Sequence, residues 1–341
     1  MTERLTAGLC DLQVNGFAGV DFNDAALTPA AFDHALQALL DTGVTTFLPT
    51  LITATPADLA ARLQALDTAV RHSRLGPAMV PGYHIEGPFL NPTDGYAGCH
   101  PAAAMTAPDA ALYENLRPGL FRPILLVTLA PERPGAIAVI RSLTDRGCAV
   151  GIGHSAADYA AVDAAVAAGA TLSTHLGNGL PALLPKLDNT LLAQLAAPGL
   201  SACLIADGHH VPPAALAALV RLKGAARVIL VTDAVVAAAA PPGSYRFAGM
   251  EVQHTDAGAV VQPGRVSLAG SALCLDQAVR NVVEWGIAPF AQAVAWASDA
   301  PHAALARAFA MAGLTVDAGT VVWDDQMRPV RVTPGRVVAA R

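Results

Sequence analysis

The chain has 341 residues, 53% of them hydrophobic and only 14% charged, with a net charge of −6. At that length about three quarters of the unfolded surface can be buried, and α/β barrels commonly reach this size as one domain. The acidic balance, with no block of basic residues, argues against nucleic acid as a partner, and no run approaches the roughly 18 apolar residues of a membrane span.

The opening segment, MTERLTAGLCDLQVNG, shows no basic start followed by an apolar stretch, so no secretory leader is expected. The five cysteines (Cys10, Cys99, Cys148, Cys203 and Cys274) form neither a CxxC pair nor a disulfide framework. They read mostly as small buried apolar residues. Both features point to a cytoplasmic protein.

Along the chain, short apolar, β-rich runs recur at 8–14, 45–51, 80–86, 124–130, 149–155, 171–176, 201–207 and 228–234. Ala/Leu-rich stretches of helical period separate them, among them 56–72, 135–146, 157–168 and 212–222. Continuous apolar strands alternating with helices mark a parallel sheet covered on both faces. Eight such units predict closure into a (β/α)₈ barrel rather than an open doubly wound sheet. Two helices, 271–286 and 290–311, are expected after the eighth strand. From about 313 the tail reads as short strands, TVVWDD, RPVRV and RVVAA. With so little chain ahead of the first strand to pair with, this tail is expected to form a small, reduced β appendage by itself. The predicted organisation is a barrel over 1–312 and an appendage over 313–341.

Polar residues at the C-terminal ends of barrel strands face the active site. Here those ends carry Gln13 and Asn15, His84 and Glu86, His154, His175, the group Asp207, His209 and His210, and Asp233. Five of the ten histidines therefore fall within or just after a strand end. Two neutral imidazoles and a carboxylate, with one position open to water, suit Zn²⁺ or a similar divalent ion. Glu86 lies in an apolar segment, where an unpaired carboxylate is costly, and metal ligation together with His154 and His175 accounts for it. Asp233 ends the apolar run VILVTDA and is placed to act as general base. His34, His72, His254 and His302 lie on predicted helices or loops and read as surface or capping residues.

At these positions the sequence resembles the N-acetylglucosamine-6-phosphate deacetylases, a family of the amidohydrolase superfamily. The matching segments are DLQVNGFAGVDFND (11–24), HIEGPFLNP (84–92), GHS (153–155), STHLGN (173–178), IADGHHV (205–211), VTDA around Asp233, and SLAGSAL (267–273). They occur in the family's order and span residues 11 to about 310. The resemblance implies a metal-dependent amidohydrolase barrel with Glu86, His154 and His175 as metal ligands and Asp233 as catalytic acid/base. It also implies substrate contacts from Cys99 and His100 in GCHP, from Asn178 and Gly179, from His209 and His210, and from Leu268, Ala269 and Gly270. His210 matches the histidine that helps polarise the substrate carbonyl.

Superfamily members with two metals usually carry His-x-His on the first strand, where this chain has Gln13-Val14-Asn15. An amide is a poorer zinc ligand than imidazole, so one divalent ion is expected, Zn²⁺ first and Fe²⁺, Co²⁺ or Mn²⁺ by the same donors, with Gln13 beside the ligands. Where the family carries its phosphate-binding arginine, the loop here reads THLGNGLPALLPKLDN and Lys186 occupies the region; lysine can neutralise a phosphate but lacks the planar bidentate fork. The implied reaction converts N-acetylglucosamine 6-phosphate to glucosamine 6-phosphate and acetate. The alternative is an unphosphorylated or different N-acyl substrate. The resemblance further implies a small-molecule substrate and a homodimer.

Overall fold

A computed structural model describes residues 3–264 and 267–339. Met1, Thr2, Arg265, Val266, Ala340 and Arg341 lie outside the described residues, and with them the outermost ends of both expected units and the last residue of the RVVAA run. Eight parallel strands follow one another around the molecule: β1 (Leu9–Val14), β2 (Val44–Ile52), β3 (Tyr83–Glu86), β4 (Ile124–Leu129), β5 (Ala149–Ile152), β6 (Leu172–Ser173), β7 (Ser201–Ile205) and β8 (Val228–Val231). Each strand pairs in parallel with its successor. Closure comes just past the strand ends, where Ala234 bridges Val14 and the Asn15 N–H donates to the Ala234 carbonyl at 2.7 Å. The result is the expected (β/α)₈ barrel.

The helices begin where local chemistry tells them to. Thr28 and Thr55 each cap a helix with the side-chain oxygen, over Pro29–Asp41 and Pro56–His72, and a proline follows each cap directly. Asp158 and Asn189 do the same for Tyr159–Ala167 and Thr190–Ala196. Inside the barrel, one layer of the filling is polar rather than branched aliphatic. His84 Nδ1 lies 3.2 Å from Thr50 Oγ1 and its Nε2 2.8 Å from Thr128 Oγ1, which in turn sits 2.7 Å from Thr174 Oγ1. Burial pushes His84 down to about 4, so this layer is neutral near pH 7.

Several sequence expectations are corrected. The helix expected over 290–311 is two, Phe290–Ala297 and Asp299–Met311. Pro301 has no N–H to offer, and its ring would clash with the Ala297 carbonyl if the helix ran through. The helix expected over 271–286 spans Leu275–Glu284, because Ser271 is drawn into a bridge with Ala234. A three-stranded antiparallel sheet, Gly243–Phe247, Met250–His254 and Val260–Val261, follows β8 and was not foreseen. His254, expected at the surface, is buried at the end of its middle strand.

The small β unit is also not built from the tail alone. Arg4–Ala7 pairs antiparallel with Thr320–Trp323, which pairs in turn with Pro329–Thr333. Leu314–Asp317 and Arg336–Ala339 form a second pair. Trp323 pins the unit to the barrel. It is fully buried, its ring meets Phe290 edge-on at 5.5 Å, and its Nε1 donates to Thr6 Oγ1 at 2.8 Å. Trp323→Ala is expected to lower the unfolding free energy by about 3–5 kcal/mol, measured by denaturant titration. A loss under about 1 kcal/mol would show that this contact does not anchor the small unit.

Candidate metal centre and active site

Three residues at the mouth of the barrel share an unusual backbone. His154, His175 and Asp233 stand two positions beyond the ends of β5, β6 and β8, and all three adopt positive φ, at 51°, 31° and 51°. Left-handed backbone costs a non-glycine residue of order 1–3 kcal/mol and persists where the surroundings enforce it. Here the turn throws each side chain inward over the barrel axis.

There they meet Glu86, the last residue of β3, which is 1% exposed. His175 Nε2 lies 2.9 Å from Glu86 Oε1, and His154 Nε2 lies 3.4 Å from the same oxygen. One donor atom from each of the three falls within 4.8 Å of the other two. Three ligands about 2.0–2.2 Å from a tetrahedral Zn²⁺ would stand about 3.4 Å apart, so the spacing suits a small divalent cation. His154 Nδ1 donates to the Tyr96 carbonyl at 2.7 Å, which leaves Nε2 bare toward the centre. This buried Glu/His/His cluster could hold a divalent cation.

Gln13 and Asn15 project from β1 beneath the cluster. Gln13 Nε2 donates to Glu86 Oε2 and to Asp233 Oδ1, both at 2.9 Å, and Asn15 Nδ2 donates to the same Asp233 oxygen at 2.7 Å. Asp233 therefore has one oxygen tied to two amides. Burial pushes its carboxyl up to about 6, with the negative charge of Glu86 adding to the effect. Burial works in the same direction on Glu86, but His154 and His175 outweigh it and hold that group well below the usual carboxylate range. His100 approaches Glu86 Oε2 at 3.7 Å, bonds Thr53 Oγ1 at 2.9 Å, and is pushed down to about 3 by burial. It is a neutral imidazole at ordinary pH.

Across the site, His210 Nδ1 bonds Asp207 Oδ2 at 2.6 Å, and Asp207 Oδ1 also accepts the backbone N–H groups of His209 and His210. That fixes the His210 ring and aims Nε2 away from the aspartate. Glu86, His154, His175, Asp233, His100 and His210 line a cavity of about 220 Å³, together with Cys99, Asn178, Gly179, Leu268 and Gly270. Apolar walls come from Ile52, Val235 and Phe247.

Most of the expected site residues thus converge, and a few do not. Ala269 lies behind the lining, its N–H on the Val260 carbonyl at 3.0 Å. His209 is exposed and faces a neighbouring cleft beside Gly258 and His254. Lys186 is exposed and lies outside the cavity lining. Phe247 was missed in the sequence, although the alternation of GSYRF and MEVQH around Ala248-Gly249 is a hairpin signal.

No protein-family model matches the chain. The N-acetylgalactosamine-6-phosphate deacetylase of Escherichia coli O157:H7 is 38% identical over 304 residues, covering 87% of this chain and 78% of that protein. The N-acetylglucosamine-6-phosphate deacetylase of Vibrio furnissii is 35% identical over 301 residues, covering 88% and 73%. Among solved structures, a variant of the Mycobacterium smegmatis N-acetyl-D-glucosamine-6-phosphate deacetylase in complex with N-acetyl-D-glucosamine-6-phosphate superposes with a TM-score of 0.86 at 28% identity. It covers 99% of this chain and 88% of its own.

Gly179 supplies a test of the metal site. Its φ is +61°, and a Cβ there would stand 2.6 Å from His154 Nδ1. Gly179→Ala should displace the His154 ring and weaken metal binding by about 10–100-fold, read by metal titration of the folded protein. Wild-type affinity in that variant would show that the seat of His154 does not govern metal binding.

Proposed function

The chain belongs to the N-acetylglucosamine-6-phosphate deacetylase family of amide hydrolases, and from that premise we propose that it removes the acetyl group of N-acetylglucosamine 6-phosphate, giving glucosamine 6-phosphate and acetate. The observation that carries this reading is the juxtaposition of Asp233 with the Glu86–His154–His175 cluster through one shared amide, Gln13. One divalent cation, Zn²⁺ foremost and Fe²⁺, Co²⁺ or Mn²⁺ by the same donors, would be held by those three ligands. When bound, such an ion lowers the pKa of a water toward neutrality and polarises a carbonyl. At these positions the chain offers the amides of Gln13 and Asn15 rather than imidazoles, and an amide oxygen is a poorer zinc ligand than imidazole, which favours one ion over two.

The protein groups divide the rest of the work. Asp233 takes the proton of the attacking water as a C–O bond forms at the acetyl carbon. As the C–N bond breaks, Asp233 returns that proton to the departing amine nitrogen. His210, its Nδ1 engaged by Asp207, presents Nε2 to the carbonyl oxygen, where an oriented donor is worth roughly 3–4 kcal/mol as negative charge develops. Neutral His100 and Cys99 border the acyl end, and the backbone of Asn178 and Gly179 and of Leu268 to Gly270 borders the sugar.

Lys186 lies on a loop that also exposes Leu183 (88%) and Leu187 (73%). That combination supports a homodimer in which the loop covers apolar surface and delivers Lys186 to a phosphate in the neighbouring protomer's site. The cytoplasm is the matching compartment for such a phosphosugar enzyme. Among the described residues no helix is long and apolar enough to cross a membrane.

The function is tested with a substrate panel on metal-analysed protein: N-acetylglucosamine 6-phosphate, its galacto epimer (the substrate for which one relative is named), and the two plain sugars. The gluco phosphate should turn over fastest, and faster turnover of the plain sugars would overturn the phosphosugar assignment. Asp233→Asn should keep its metal while kcat falls about 10²–10⁴-fold. Because the base must be ionised, kcat/KM should rise with pH through about 6, or lower when a cation favours the carboxylate. A profile without that limb would remove Asp233 from the role of base.

A further inference from the structure

The barrel wall is not equally bonded all the way round. Seven strand pairs share backbone ladders, whereas β8 and β1 stand at the two ends of the hydrogen-bonded sheet. Among the described residues the backbone bonds between them lie at and just past the strand ends, at the bridge of Val14 with Ala234 and from the Asn15 and Gly16 N–H groups to the Ala234 carbonyl. Asp233 sits on that seam, between Thr232 and Ala234.

We propose that Asp11 is a positioning residue for the deacetylase reaction, its carboxylate clasping β8 to β1 at the seam and so holding Asp233 and Gln13 in register with the metal ligands. The inference rests on Asp233 being the acid/base. Asp11 is fully buried on β1, and among the described residues no salt bridge reaches it. Its Oδ2 accepts the Thr232 hydroxyl at 2.6 Å. Its Oδ1 accepts the Gln13 N–H at 3.2 Å and the Thr232 N–H at 3.3 Å. One carboxylate thus grips the residue before Asp233 and the backbone of the amide that bonds Asp233.

The grip extends further. Thr232 Oγ1 accepts the Ala234 N–H at 3.0 Å, so both neighbours of the left-handed Asp233 are fixed by a hydroxyl that Asp11 orients. A buried carboxylate without a counter-charge is an expensive way to join two strands, and its cost is offset where it over-determines a strained residue. Burial pushes Asp11 up to about 7 in spite of its hydrogen bonds, a measure of that expense.

The test uses metal-loaded full-length protein with N-acetylglucosamine 6-phosphate as the probe. Asp11→Asn should lower kcat by about 10–100-fold, with KM within about threefold and metal content unchanged. Thr232→Val should do the same, and Thr232→Ser should retain most of the activity. The double variant should fall no lower than the worse single, because the two residues act as one unit. The inference is overturned if Asp11→Asn turns over within about twofold of wild type, if its loss follows metal loss, or if the two losses multiply. If Asp11→Asn does not fold, the Thr232 pair decides alone, with equal activity of Val and Ser as the refuting result. Asp233→Asn run alongside separates the two readings. Near-normal turnover there defeats the acid/base role itself, whereas an inactive Asp233→Asn beside a normal Asp11→Asn defeats only the clasp.

Discussion

Glu86 places an ionised carboxylate on the inner wall of a barrel, out of reach of water, and the structure around it is organised by the need to support that charge. Taking such a group out of water costs several kcal/mol unless donors or a cation replace the lost hydration. The groups that face it come from separate parts of the chain: Gln13 on β1 donates at 2.9 Å, and His100 in the loop after β3, His154 after β5 and His175 after β6 turn their Nε2 atoms toward it. Each brings its own support, as the Tyr96 carbonyl does for His154 and the Thr53 hydroxyl for His100. The barrel centre is consequently polar through two levels, with the His84–threonine layer lying under the ligands.

The same demand explains the backbone. A strand residue alternates between the barrel interior and the helices outside, but the ligands have to reach over the axis rather than across it. A left-handed turn just past β5, β6 and β8 supplies that reach, and the cost is carried by tight seating. A Cβ at Gly179 would stand 2.6 Å from His154 Nδ1 and one at Gly98 3.0 Å from its Cε1, so both segments approach the ring through glycine. Asn15, Gln13 and Thr232 hold Asp233 in the same way. Ground-state strain and preorganised chemistry are here the same set of contacts.

Much of this was legible in the sequence because barrel periodicity and strand-end chemistry are local signals. The eight apolar runs are eight strands, and Glu86, His154, His175 and Asp233 were marked by polarity breaking in at each run's end. Gln13 could be placed beside the metal because an amide stands where imidazole would ligate. What was missed depended on partners distant in sequence. Arg4–Ala7 is unremarkable until Thr320–Trp323, over three hundred residues later, offers an edge. The break at Ser298 needed the steric reach of Pro301, which periodicity alone does not weigh. Lys186 and His209 were read as substrate contacts from their place in the sequence, yet both lie outside this chain's own cavity lining, and motif spacing is blind to where a loop points.

The seam between β8 and β1 has a consequence for how the molecule fails. Along that line no ladder runs between the strands. Backbone bonds from Asn15 and Gly16 to Ala234, from Ala18 to Ala238 and from Gly19 to Val236 close the cylinder only at its mouth, so it opens along the seam first. Glu86 ends β3, and His154 and His175 follow β5 and β6, strands laddered on both sides, whereas Asp233 follows β8 at the seam. With the roles proposed above, warming moves Asp233 away from the Glu86–His154–His175 cluster while the strands stay paired. Turnover would then be lost before the barrel melts, and an inactive protein that still binds a divalent cation would be the signature of that order of events.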